Sequence, residues 1–86
     1  MYIDDPELLQ KIILAIQTIT FDYSPIYPTT EIKSLHKLLD SEYALAKLTN
    51  FITSNFGVSF SGLQVRGMST IQELVDKIQE EEKRQG

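Results

Sequence analysis

Leu38-Leu39-Asp40-Ser41, with the run behind it that ends at Phe56-Gly57-Val58, is the stretch on which the fold turns. Leu45, Leu48, Ile52 and Phe56 fall at helical spacing, with Ala44 and Phe51 beside them. This spacing predicts a helix over residues 41 to 55, closed by Gly57 as a left-handed C-cap residue. Asp40 and Ser41 sit where a connecting segment gives way to that helix. A serine in such a place either caps the helix or presents its hydroxyl for chemistry.

Working toward the N-terminus, residues 21 to 40 form a long connection. Pro25 and Pro28 interrupt regular structure, and Asp22, Ser24, Thr29 and Thr30 favour turns. Phe21, Ile26 and Tyr27 are apolar enough to tack the loop onto the core. A short helical turn is expected over 31 to 39, with Ile32, Leu35 and Leu38 pointing inward. Before the loop, Asp5-Pro6-Glu7 reads as a helix start: a capping acid, then proline at the first helical position. Leu9, Ile12, Ile13, Ile16 and Ile19 follow at helical spacing, and Leu8 and Leu14 widen the stripe. The helix should end near Thr20, where Ile16, Thr18, Ile19 and Thr20 lower helix propensity and favour fraying.

Toward the C-terminus, Val58-Ser59-Phe60 alternates like a strand but has no pairing partner, so an extended loop is expected. A short helix is expected near residues 62 to 66. Ser69-Thr70-Ile71-Gln72 reads as a capping box, followed by the apolar face Ile71, Leu74, Val75 and Ile78. Residues 79 to 86 are polar and are expected to fray. There is no internal repeat.

Eighty-six residues make one domain, 1–86, with a modest core. The absence of cysteine excludes a disulfide staple and a thiolate metal site. Twelve acids against eight bases give a net charge of -4. That balance argues against non-specific nucleic-acid binding and suits docking against basic partners. The acidic N-terminus is unlike the basic start of a signal peptide. Lys11 and Gln17 break the longest apolar run, so no membrane span is expected. The lack of cysteine points to a cytoplasmic protein.

Three stretches, Leu38-Leu39-Asp40-Ser41, Phe56-Gly57-Val58-Ser59-Phe60 and Gly67-Met68-Ser69-Thr70-Ile71-Gln72-Glu73-Leu74, in this order and spacing, resemble the acyl carrier and peptidyl carrier protein family. The resemblance runs from about residue 7 to residue 78. It implies an all-α fold, a small four-helix bundle with three long helices, one short helix and a long first loop. It implies a 4'-phosphopantetheine arm joined to Ser41, with Asp40 as the acid of the family motif. The chain would be a carrier and not an enzyme, serving fatty acid, polyketide or nonribosomal peptide biosynthesis. Its partners would be a phosphopantetheinyl transferase and acyl- or aminoacyl-handling enzymes, and a monomer is expected. Glu42, Tyr43, Ala46 and Lys47 would flank the arm or meet those partners.

The chain departs from the family in two places. Glu42 stands where the family usually has leucine or another apolar residue after the serine. Laid down without a gap from Phe56, the pattern puts its serine position on Glu42. The exposed face of the family's second helix is usually acidic, whereas here it carries Glu42 and Lys47 among mainly uncharged residues.

Other constellations carry less. Phe60, Val65 and Met68 line an acyl pocket or, more simply, belong to the core. His36, the one histidine, reads as solvent-facing. Glu31, Asp40 and Glu42 lie near one another in sequence, but no apolar cleft is implied that would tune them for acid-base catalysis. Two classes of function remain: a phosphopantetheine-dependent carrier, or an unmodified helical interaction module with a degenerate carrier fold. An exposed Ser41 favours the first. A buried or purely capping Ser41, covered by Tyr43, favours the second.

Overall fold

In the computed structural model, which describes residues 6–85, proline opens the first helix. Helix α1 spans Pro6–Thr20. The missing N–H of Pro6 falls where no intrahelical partner exists. The cap expected of Asp5 lies outside the described residues. Leu8, Ile12, Ala15 and Ile16 are buried, and Leu9, Ile13 and Ile19 pack against them half-buried. Leu14 is 59% exposed, so the apolar face is narrower than its sequence suggests.

The end of α1 stays helical through its β-branched residues. The Thr20 hydroxyl donates to the Ile16 carbonyl at 2.8 Å. Phe21 then takes a left-handed conformation, φ 56°, and the Asp22 N–H reaches back to the Gln17 carbonyl at 3.1 Å. That is the bond of a Schellman ending, with phenylalanine where glycine is usual.

The chain continues through a loop to a 3-10 turn, Ile32–Ser34, and a short helix α2, His36–Leu39. Ile32 and Leu38 are buried and Leu35 is half-buried, as the spacing predicts. Of the three residues expected to tack the loop down, only Ile26 does so. Phe21 and Tyr27 are 82% and 60% exposed. The loop is held by its backbone instead. Ile32 N–H donates to the Ser69 carbonyl at 3.0 Å, Ile71 N–H to Thr30 at 3.1 Å, and Gln72 N–H to Pro28 at 2.9 Å. Glu31 and Thr70 form an isolated antiparallel bridge there.

Helix α3 spans Glu42–Phe56 and buries Ala44, Leu45, Leu48 and Ile52. It ends at Gly57, φ 69°, whose N–H donates to the Thr53 carbonyl at 3.0 Å. A left-handed residue costs little at glycine, which has no Cβ to clash. Residues 58 to 60 form the expected extended segment, with Val58 buried. Helix α4, Gly62–Arg66, starts with a full capping box between Ser61 and Gln64. It lies so close to α3 that a Cβ on Gly62 would meet the Leu45 side chain at 3.0 Å.

Helix α5 spans Ile71–Gln85 and therefore continues through most of the segment expected to fray. Gln79 is buried beside Ile78 on the inner face. Arg84 lies 3.6 Å from Glu80 and 3.5 Å from Glu81. Capping at the start of α5 is shifted one residue from the Ser69 box. Thr70 Oγ1 accepts from Glu73 N–H at 3.2 Å, and a Glu73 carboxylate oxygen accepts from Ser69 N–H at 3.1 Å. The loop carbonyls already engage Ile71 and Gln72, so the Gln72 side chain turns along the helix and donates to Asp76 at 2.8 Å.

The fold is all-α, with no named strand among the described residues. Helix α3 is its hub, touching α1, α2, α4 and α5. Ser41 therefore sits at the head of the helix that meets all the others.

Candidate functional site

Asp40 and Ser41 form the joint between α2 and α3. Asp40 closes α2, its N–H donating to the His36 carbonyl at 2.8 Å. Ser41 then turns to an extended conformation, φ -120° and ψ 112°. Its carbonyl accepts from Leu45 N–H at 3.0 Å and its Oγ accepts from Ala44 N–H at 3.1 Å. Ser41 is thus the N-cap of α3.

Two features of the cap bear on chemistry. The hydroxyl accepts from Ala44 N–H, and among the described residues it donates to no protein group. The first-turn amides of Glu42 and Tyr43 precede the helix's own hydrogen bonding and point toward the same end of the helix. With the helix field, they favour negative charge at this spot. Ser41 is half-buried, while Asp40 and Glu42 are exposed.

The four expected contact residues divide into two pairs. Glu42 and Ala46 face a groove of about 280 Å³ between α3 and α4, shared with Leu45, Thr49, Gly62, Leu63 and Arg66. Tyr43 is 71% exposed, and the Lys47 ammonium lies 4.7 Å from its ring centre, one turn further along the helix. Such an exposed cation–π contact is worth about 0.5–1 kcal/mol. The tyrosine is engaged outward, toward Lys47. Val65 and Met68 are core, and Phe60 packs half-buried against them.

His36 is exposed, as expected, and lines a cavity of about 330 Å³ beneath the first loop. Asp22 sits at the same cavity. Its carboxylate accepts from the Ser24 hydroxyl at 2.7 Å and from the Ser24 N–H at 3.1 Å, and lies 3.4 Å from the Lys37 ammonium. The Ser24 hydroxyl, the Ser24 amide and Lys37, in that order, hold this carboxyl below the usual aspartate range. Since a depressed pKa favours the fold only while the group is ionised, the tie between loop and α2 is present above the ordinary aspartate pKa. It is lost as pH falls through the lower, folded value. A carbon-detected titration should place Asp22 below the ordinary aspartate value, and Ser24→Ala should move it upward. A value in the ordinary range would show that the tie is not formed in solution.

The Asp40-Ser41 joint was visible in the sequence. The Ser61–Gln64 box, the loop cavity and a further groove between α1 and α3 were not. The box had a signal, serine followed three residues later by glutamine, which the flanking glycines obscured. No protein-family model matches the chain, and neither curated proteins nor solved structures are significantly similar to it.

Proposed function

We propose that the chain is an acyl or aminoacyl carrier of four-helix-bundle type, with α1, α3, α4 and α5 as the four helices. Its cargo is held as a thioester on a 4'-phosphopantetheine arm joined to Ser41. The observation that carries this reading is the place of Ser41, half-buried at the head of α3 beside the exposed Asp40, with Tyr43 engaged by Lys47; its cap to Ala44 N–H serves either reading. Free serine is a weak nucleophile, so a phosphopantetheinyl transferase supplies the base. In the transfer, Ser41 Oγ attacks the phosphorus of coenzyme A that bears the pantetheine. A new O–P bond forms, the bond to adenosine 3',5'-bisphosphate breaks, and the hydroxyl proton leaves to the transferase. Asp40, exposed beside the serine, offers a carboxylate to the transferase's divalent metal. The open first-turn amides of α3 stabilise the phosphodiester charge. When attached, the arm supplies the thiol that bears the acyl or aminoacyl group.

Glu42 and Ala46 on one side of α3, and Tyr43 and Lys47 on the other, are the surfaces offered to acyl- or aminoacyl-handling enzymes. The carrier acts as a cytoplasmic monomer in this reading. A specific observation favours the alternative, an unmodified interaction module. Glu42 is an exposed acid at the first position of α3, where it already complements the helix field and repels an incoming phosphate.

Intact mass separates the two. Wild-type protein and Ser41→Ala are incubated with a broad-specificity transferase, magnesium and coenzyme A. One phosphopantetheine added to wild type alone is the expected result. No addition to folded wild type overturns the proposal.

A further inference from the structure

We infer that the groove between α1 and α3 is a docking site for an acidic amphipathic helix of a partner protein. This groove, about 510 Å³, lies on the other side of α3 from the one shared with α4. Ala15, Ile19 and Phe51 form its apolar floor, and Leu14, 59% exposed, stands on its rim. Apolar surface left open between two helices is covered when a third ridge of side chains enters it.

The charge of the rim selects the partner. The chain carries -4 overall, yet both charged residues lining this groove are cations, Lys11 from α1 and Lys47 from α3. Lys11 pairs with Glu7 at 3.9 Å, an exposed contact that costs little to exchange. Lys47 rests on the face of Tyr43, which leaves its ammonium able to meet a carboxylate. Acidic residues flanking an apolar stripe complement this arrangement.

The form of the partner follows from its backbone. The lining side chains are chiefly aliphatic, aromatic and cationic, and offer no ladder of backbone donors and acceptors. A strand laid there would leave its peptide groups unpaired against an apolar floor, whereas a helix satisfies its own. The mode is helix-in-groove, with apolar anchors at i, i+3, i+4 and i+7. The site does not depend on modification of Ser41.

The test is a displayed library of amphipathic helices, with Leu and Phe fixed on one face and the flanking positions varied among Glu, Gln and Lys. Selection against the intact chain should enrich Glu at the flanks. The selected helices should bind at least about tenfold more weakly to Leu14→Glu, roughly the factor for 1.4 kcal/mol. The double variant Lys11→Glu, Lys47→Glu should reverse the preference toward Lys flanks. Leu14 and both lysines are exposed, so circular dichroism of the variants should match wild type. Failure to enrich any helix overturns the inference, as does enrichment without charge preference or binding indifferent to Leu14→Glu. A concentration-dependent dimer abolished by Leu14→Glu would assign the groove to a second copy and also overturn it.

Discussion

Ser41→Asn should keep the stability of the wild-type chain and accept no phosphopantetheine at all. Asparagine matches serine as an N-cap, because its side-chain oxygen can take the Ala44 N–H that Ser41 now holds at 3.1 Å. It has no hydroxyl to esterify. Ser41→Ala loses both properties and should be about 1 kcal/mol less stable, a fall in Tm of about 4–8 °C for a domain of this size. The pair of variants thus separates the structural use of Ser41 from its chemical use. Thermal unfolding followed by intact mass reads both. Mass addition to Ser41→Asn would move the arm to another hydroxyl and remove Ser41 from the proposal. An alanine variant as stable as wild type would show that the cap contributes nothing measurable.

Leu48→Ala should have the largest effect on the fold itself. Leu48 is fully buried on α3, the helix that touches every other helix. Truncating a buried leucine removes its transfer free energy and leaves a cavity, together about 2–5 kcal/mol. A domain of this length has a total stability of about 5–12 kcal/mol, so the loss is a large share of it. The expected fall in Tm exceeds about 10 °C, with a matching drop in the urea midpoint. Leu63, 81% exposed on α4, supplies the control. Its alanine variant should stay within about 0.5 kcal/mol of wild type. A loss below about 1 kcal/mol at Leu48 would contradict the central position of α3.

Helices with a strong internal pattern were legible from sequence. The Leu45, Leu48, Ile52 spacing, the Gly57 stop and the proline at Pro6 each act within a few residues, and each leaves a local signal. Ser41 was legible as a cap for the same reason. The misreadings concern groups whose partners are distant in the chain. Phe21 and Tyr27 look like loop anchors because they are aromatic, but backbone bonds to α5 hold the loop without them. Those same bonds occupy Ile71 and Gln72, and so move the cap of α5 from Ser69 to Thr70. The helical continuation of α5 past residue 79 has a weak apolar pattern and draws on Arg84 pairing with Glu80 and Glu81. The groove between α1 and α3 exists only once two helices meet, so its Leu14 rim and paired lysines have no signature in either helix alone.

The joining of Pro28, Thr30 and Ser69 to Ile32, Ile71 and Gln72 also sets an order of events. Helix nucleation is unfavourable until its first turn is fixed. The first turn of α5 takes two acceptors from a loop that lies beyond α2, α3 and α4 in the chain, so closing that span precedes its gain in hydrogen bonds. Contacts among α1, α2 and α3 can form before α5 is anchored. Once the chain has folded, the Ile71 and Gln72 amides lie at the clasp between the first loop and the start of α5. They should exchange with solvent only when the loop and α5 part, which makes these two amides reporters of that opening.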